Sequence, residues 1–310
     1  MTAVRVEHLT KRYGALAAVD DVSFDVLDGQ LLAVLGPNGA GKTTTLETLE
    51  GFTAPTSGRV VVLGANPRRA GRAWRARVGL VLQSTSLEPT LTVRTVVSQF
   101  ARLYPAPRPV DEVLEIIDMT EEADVRISAL SGGQRRRVDV AIGIAGRPDI
   151  LFLDEPTTGL DPEARRQAWA SVRNLNSAGT TVVLTTHYIE EADQLADRVL
   201  VLSGGRIVAD TTPAGLRTQG GVTTIRWHLP STQAASALPA ALARYLDPPT
   251  RTLIIQSADV TANLRELVQW ADEQGLDLAG IEIGPPTLEE AYLDGAKSQP
   301  DTPGPGHTLG

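Results

Sequence analysis

Residues 30–44 read "QLLAVLGPNGAGKTT", and the fold follows from how this stretch is parsed. "LLAVL" is apolar without alternation, the pattern of a strand buried on both faces inside a largely parallel sheet. "GPNGAGKT" (36–43) fits G-x-x-x-x-G-K-[S/T] between that strand and a helix beginning at Lys42, the context a phosphate-binding loop requires. Gly36, Gly39 and Gly41 let backbone N–H groups turn inward around phosphates, with Pro37, Asn38 and Ala40 completing the loop. The helix N-terminus at Thr43 and Thr44 adds its partial positive charge. Lys42 is expected to reach the β- and γ-phosphates, and Thr43 to ligate Mg²⁺.

Outward from this loop the pattern alternates. Residues 3–9 and 19–26 read as strands, with Asp28-Gly29 as a hairpin turn signal. "GRVVVLG" (58–64) reads as another strand. A helix-rich stretch runs from about 92 to 145, broken at "YPAPRPV". "ILFLD" (150–154) and "TTVVLTT" (180–186) are buried strands, each leading into a helix. The expected class is α/β with a parallel sheet. The pattern breaks at "LRTQGGV" (216–222). Beyond it come a strand (222–229), a helix (234–246), a strand (251–257), a helix (259–274), a strand (278–283) and a short helix (287–294). These predict a small α+β domain over 222–295, able to bury its own core, after a first domain over 1–215. The Pro/Gly-rich end, 296–310, is expected to be disordered.

Two further motifs carry chemistry. "ILFLDEP" (150–156) ends a buried strand with two carboxylates. Beside a phosphate-binding loop, Asp154 is expected to hold Mg²⁺, and Glu155 to polarise the attacking water as general base. "ALSGGQRRRVDVAIGIAGRP" (129–148) begins a helix on two glycines, although glycine costs a helix about 1 kcal/mol against alanine. Ser131 and Gln134 form a capping box, and Val138, Ala141, Ile142 and Ala145 give one apolar face. The cap alone does not require Gly132 and Gly133. Their bare N–H groups at a positive helix end form an anion site. Since 36–43 already cradles the phosphates of one nucleotide, this second site suits a phosphate from a second molecule. The arginine runs 68–77 and 135–137 read as solvated faces, the first with an alternative reading as a contact for anionic lipid headgroups.

"LSGGQ" (130–134) matches the signature of ABC ATPases, and the resemblance covers roughly residues 3–215. It implies a P-loop ABC ATPase core with a helical signature subdomain near 84–147. Tyr13 is placed like the aromatic residue that stacks on adenine. Gln83, after "VGLVL", resembles the glutamine that touches Mg²⁺ and water. Asp161 in "GLD" resembles the residue near the dimer seam, and His187 in "TTHYIEEAD" the switch histidine on the γ-phosphate. In that family two domains pair head to tail, so Ser131, Gly132, Gly133 and Gln134 would close on the ATP held by the partner's loop. The homodimer, or a pair with another ABC subunit, is thus an expected partnership. The C-terminal stretch, with "LEEAYLDG" (288–295), resembles ATPases serving bacterial drug and multidrug exporters. A nutrient-importer ATPase subunit, or a soluble non-transport ABC ATPase, is the alternative.

Composition bounds the rest. No apolar run approaches the ~20 residues of a membrane span, and "MTAVRVEHLTKRYG" has no signal-peptide core. Transport would therefore need separate membrane subunits, with this chain cytoplasmic and peripheral on the inner face of the membrane. The absence of cysteine excludes disulfides and thiolate metal sites. A net charge of −8 gives no overall field for nucleic acid. Lysine occurs only at 11, 42 and 297, a composition typical of high-GC bacterial genomes.

Overall fold

In the computed structural model the chain divides between Pro213 and Ala214 into two units; residues 1–82, 86–218, 223–257 and 259–284 are described. The first unit runs β1 (Thr2–Tyr13), β2 (Leu16–Leu27), β3 (Leu31–Leu35), α1 (Lys42–Glu50), β4 (Ser57–Val62), α2 (Arg72–Arg75) and β5 (Val78–Val81). It continues with α3 (Val93–Ala101), α4 (Val110–Ile116), α5 (Gly132–Ile144), β6 (Ile150–Asp154), α6 (Pro162–Ser177) and β7 (Thr181–Thr186). It closes with α7 (Ile189–Leu195), β8 (Arg198–Ser203) and β9 (Arg206–Thr211), after which α8 (Pro213–Thr218) crosses the division.

The buried run at 31–35 becomes the interior strand its composition demands. The main sheet has the order β5-β6-β7-β3-β8-β9, parallel except for β9. Every residue of β3, β6 and β7 is buried, as expected of a sheet covered on both faces. Leu35 pairs with Thr186, and Asp154 with Thr185. The carboxyl ends of three neighbouring strands therefore deliver Gly36, Glu155 and His187 side by side, where open α/β sheets bind ligands.

The Asp28-Gly29 turn does not close a hairpin. β2 lies with β1 and β4 in a separate antiparallel sheet, whereas β3 pairs with β7 and β8. A strand apolar on both faces is covered in the central sheet rather than on the outer antiparallel one. Gly29, at φ +74°, turns the chain from one sheet into the other. The hairpin here is β1–β2, turned at Gly14 with Tyr13 opposite Leu16.

The second unit holds β10 (Thr223–His228), α9 (Thr232–Ser236), α10 (Ala240–Ala243), β11 (Leu246–Asp247), β12 (Thr252–Ser257), α11 (Val260–Glu273) and β13 (Glu282–Gly284). Its antiparallel sheet has the order β11-β12-β10-β13. Its core gathers Ile225, Trp227, Leu253, Ile255, Leu267 and Trp270, with the two tryptophan rings edge to face at 6.2 Å. The helix expected over 234–246 is broken: Pro239 cannot continue α9 and instead caps α10. Leu246 and Asp247 pair with β12 instead of ending a helix. The strand expected over 278–283 shortens to Glu282–Gly284. Before it, Asp277 accepts from Ala279 N in a turn that ends at Gly280, φ +78°, while Leu276, Leu278 and Ile281 still pack on the core. The expected helix at 287–294 and the tail at 296–310 lie outside the described residues.

Candidate active site

The loop between β3 and α1 is built around its glycines. A Cβ on Gly36 would lie 2.5 Å from Leu202 O, and one on Gly41, whose φ is +100°, 2.3 Å from Ala18 O. Gly39 also has positive φ. Pro37, Asn38 and Gly39 are exposed at the mouth, Ala40 is buried beneath, and Thr44 is half-buried behind Thr43. Lys42 is buried, and its Nζ donates to Gly36 O at 2.8 Å and Pro37 O at 3.2 Å. The lysine thus folds back on its own loop.

The acidic pair stands opposite. Asp154 Oδ1 lies 3.4 Å from Thr43 Oγ1 and accepts from Thr185 Oγ1 at 2.5 Å. The same Thr185 hydroxyl accepts from Glu155 N at 3.1 Å. Glu155 has φ +44°, a region sparsely used by residues other than glycine and frequent at active sites. Its Oε1 lies 3.5 Å from Lys42 Nζ and 3.3 Å from His187 Nδ1, and its Oε2 accepts from Thr158 Oγ1 at 3.2 Å. Burial pushes the Glu155 carboxyl up. The hydrogen bond and charge of His187, the charge of Lys42 and the Thr158 hydroxyl outweigh burial and hold it below the usual carboxylate value. An ionised carboxylate is therefore aimed at the loop mouth.

A second cluster forms at the start of α5. Ser131 Oγ accepts from Gln134 N at 3.2 Å, and Ser131 N donates to Gln134 Oε1 at 2.9 Å, so the capping box is formed. Asp161 Oδ1 caps α6, accepting from Glu163 N and Ala164 N at 3.0 and 2.9 Å. Between the two caps lies a cavity of about 240 Å³ lined by Ser131, Gly133, Gln134, Arg137 and Asp161. The two glycines differ. A Cβ on Gly133 would sit 2.6 Å from Ala164 Cβ, so α6 alone requires glycine there. A Cβ on Gly132 would meet nothing within 4 Å, and only this glycine needs a reason outside the chain.

Tyr13, 49 % exposed at the end of β1, carries Lys11 Nζ 4.8 Å above its ring. Gln83 lies outside the described residues. The expectation of a solvated 135–137 run is overturned: Arg136 and Arg137 are 7 % and 9 % exposed. Arg137 Nη1 donates to Asp118 O at 2.5 Å and Ile117 O at 3.3 Å, while Arg136 reaches the backbone around the acidic pair. Three consecutive helical residues span about 200° of the helix circumference, and here the last two fall on the buried side. The 68–77 run keeps its arginines exposed, but Trp74 is buried and donates to Val62 O at 2.8 Å. Sequence reasoning also missed Thr185, whose hydroxyl serves both Asp154 and Glu155. Its signal was a polar side chain at the end of an otherwise apolar strand.

Residues 19–158 match the pattern of the ABC transporter family, and residues 223–287 that of the C-terminal domain of ABC transporter domain-containing-like proteins. The daunorubicin resistance ATP-binding protein DrrA3 of Streptomyces coeruleorubidus is 38% identical over 300 residues, covering 94% of this chain and 95% of that protein. The chain belongs to the ABC transporter ATP-binding family. Nod factor export ATP-binding protein I of Ralstonia nicotianae is 39% identical over 298 residues, 93% of this chain and 92% of its own length. Among solved structures, the ATP-binding cassette MJ0796, in a dimeric post-hydrolysis state bound to ADP and Pi, aligns with a TM-score of 0.60 at 26% identity. That alignment covers 67% of this chain and 98% of the cassette. As a member of this family the chain binds ATP and is an ATPase. No helix among the described residues is long and apolar enough to cross a membrane.

Proposed function

We propose that this ATPase powers export of drugs or other hydrophobic compounds through separate membrane subunits, docked on the inner face of the membrane. The relatives named for daunorubicin resistance and Nod factor export support the direction of transport. The observation that carries the chemistry is the convergence of Lys42, Glu155 and His187 at the carboxyl ends of β3, β6 and β7.

Lys42 leaves its two loop carbonyls for the β- and γ-phosphates, and Tyr13 stacks on adenine. Glu155 takes a proton from a water attacking the γ-phosphorus, while the β–γ bridging oxygen departs with ADP. His187, beside the same carboxylate oxygen, holds the γ-phosphate. The hydroxyl of Thr43 facing the carboxylate of Asp154 is a hard-oxygen pair that fits Mg²⁺. Gln83 is a further candidate for holding such an ion. Bound there, the ion would draw off the charge that develops on the transferred phosphoryl group. Two chains then pair head to tail, and Ser131, Gly132, Gly133 and Gln134 of one close on the ATP of the other, with Asp161 at the seam. Copurification from membranes tests the assignment. A multi-span protein should copurify, and the pair should drive ATP-dependent efflux from vesicles. Hydrolysis by a chain that captures no membrane protein would defeat it.

A further inference from the structure

Arg136 lies on α5 one turn beyond the capped end, buried against the acidic pair. Its Nε donates to Pro156 O at 2.8 Å, and its Nη2 to Asp154 O at 3.0 Å and Glu155 O at 3.4 Å. Its Nη1 donates to Leu82 O at 2.5 Å and faces Asp139 at 3.5 Å. One planar, permanently charged fork thus gathers three successive carbonyls around the residue whose φ is +44°, together with the carbonyl that precedes Gln83. Buried carbonyls past the end of a strand need such donors. α5 is brought within reach by glycine on both sides: a Cβ on Gly79 of β5 would lie 2.3 Å from Gly143 O, and one on Gly143 2.9 Å from Val81 Cγ2. β5 and α5 are therefore in close backbone contact, and Arg136 ties α5 to the backbone of Glu155.

We propose that Arg136 is the positioning residue that seats Glu155 for its task and joins it to the helix bearing Ser131. This rests on the reading of Glu155 as the base. Arg136 acts through the backbone of Glu155, fixing the chain from which the carboxylate is presented. A carboxylate released from that seat stays ionised but misses the attacking water, and displacement of about 1 Å costs on the order of a hundredfold.

The test is a double-mutant cycle on the full-length chain, read as phosphate release and as ATP affinity. Arg136→Gln should lower kcat about a hundredfold and leave the Kd for ATP within about threefold, since the 36–43 loop is untouched. Arg136→Lys, which keeps the charge and three donors, should recover part of the loss. In a Glu155→Gln background, Arg136→Gln should change residual turnover by less than about twofold. Equal losses in both backgrounds, a Kd that rises in step with the fall in kcat, or no recovery by lysine would overturn the assignment. If Arg136→Gln does not fold, the lysine variant carries the same cycle. Full turnover in Glu155→Gln alone would instead remove the base, and this inference with it.

Discussion

Lys42 Nζ and Glu155 Oε1 form an ion pair at 3.5 Å in a site where both side chains are largely enclosed. On the proposed roles, the cation that serves phosphate holds the carboxylate that serves water. Arrival of a γ-phosphate would then draw Lys42 away and place negative charge before Glu155. Both changes would raise the proton affinity of the carboxylate, so substrate binding would itself make it a stronger base.

Removing either partner separates the two tasks. Lys42→Ala should abolish turnover, by at least about a hundredfold, because the phosphates lose their buried cation. Glu155→Gln should retain ATP while losing the base, so ATP-bound dimers should accumulate. Size-exclusion chromatography with ATP checks this, and a purely monomeric elution would remove either the dimer or the role of Glu155.

Composite sites predict complementation. Lys42→Ala leaves an intact start of α5, and Ser131→Arg leaves an intact phosphate loop. Each homodimer holds two broken sites and should be inactive. Mixing the variants yields heterodimers with one intact site, and phosphate release should return. Wild-type activity in the Ser131→Arg homodimer would show that the cap of α5 meets no nucleotide.

Glu50, the last residue of α1, predicts a pH effect unrelated to turnover. It is 7 % exposed, and its Oε1 has no hydrogen-bond partner among the described residues. Burial, then the charges of Asp154 and Glu47, push its carboxyl from 4.5 up to about 8. The folded chain therefore keeps a proton that the unfolded chain releases, and stability falls as pH rises from 4.5 towards 8. The slope is at most about 1.4 kcal/mol per pH unit. Glu50→Gln removes this loss, so its advantage over wild type in urea unfolding should be larger at pH 8 than at pH 5. Parallel curves at the two pH values would mean that Glu50 is ionised in the fold.

The core of the first unit draws on residues between Ala3 and Ile207, and that of the second on residues between Ile225 and Ile281. A chain ending after Thr218 should therefore bind ATP within about twofold of full length, by equilibrium titration. Lost affinity in a truncated chain that still melts cooperatively would place part of the site beyond 218.

Legibility tracked how local the physics was. The loop at 36–43, the strands ending at Leu35 and Asp154, and the Ser131–Gln134 box each carry a pattern written within a few residues, and the sequence displayed them even though the strands' partners lie far along the chain. Arg136 was misread because the carbonyls it serves stand at positions 82 and 154–156, far along the chain, and backbone carries no sequence signal. Gly133 answers a second demand that the sequence did not show, because Ala164, a helix away, leaves no room for a Cβ there. Asp28-Gly29 has hairpin chemistry, but sheet membership is decided by which partners cover β3. In the second unit the apolar positions at 234–246 and 276–281 reach the core without regular structure, because Pro239 and Gly280 interrupt the backbone.

The left-handed backbone at Glu155 sets evolutionary pressure against the chemistry it serves. Glycine or asparagine would occupy that conformation more comfortably, so at this position the most relaxed chain is an inert one. Selection of this protein for heat resistance alone, with no demand for turnover, should drift towards those residues and yield hardier molecules that hold ATP and do nothing with it.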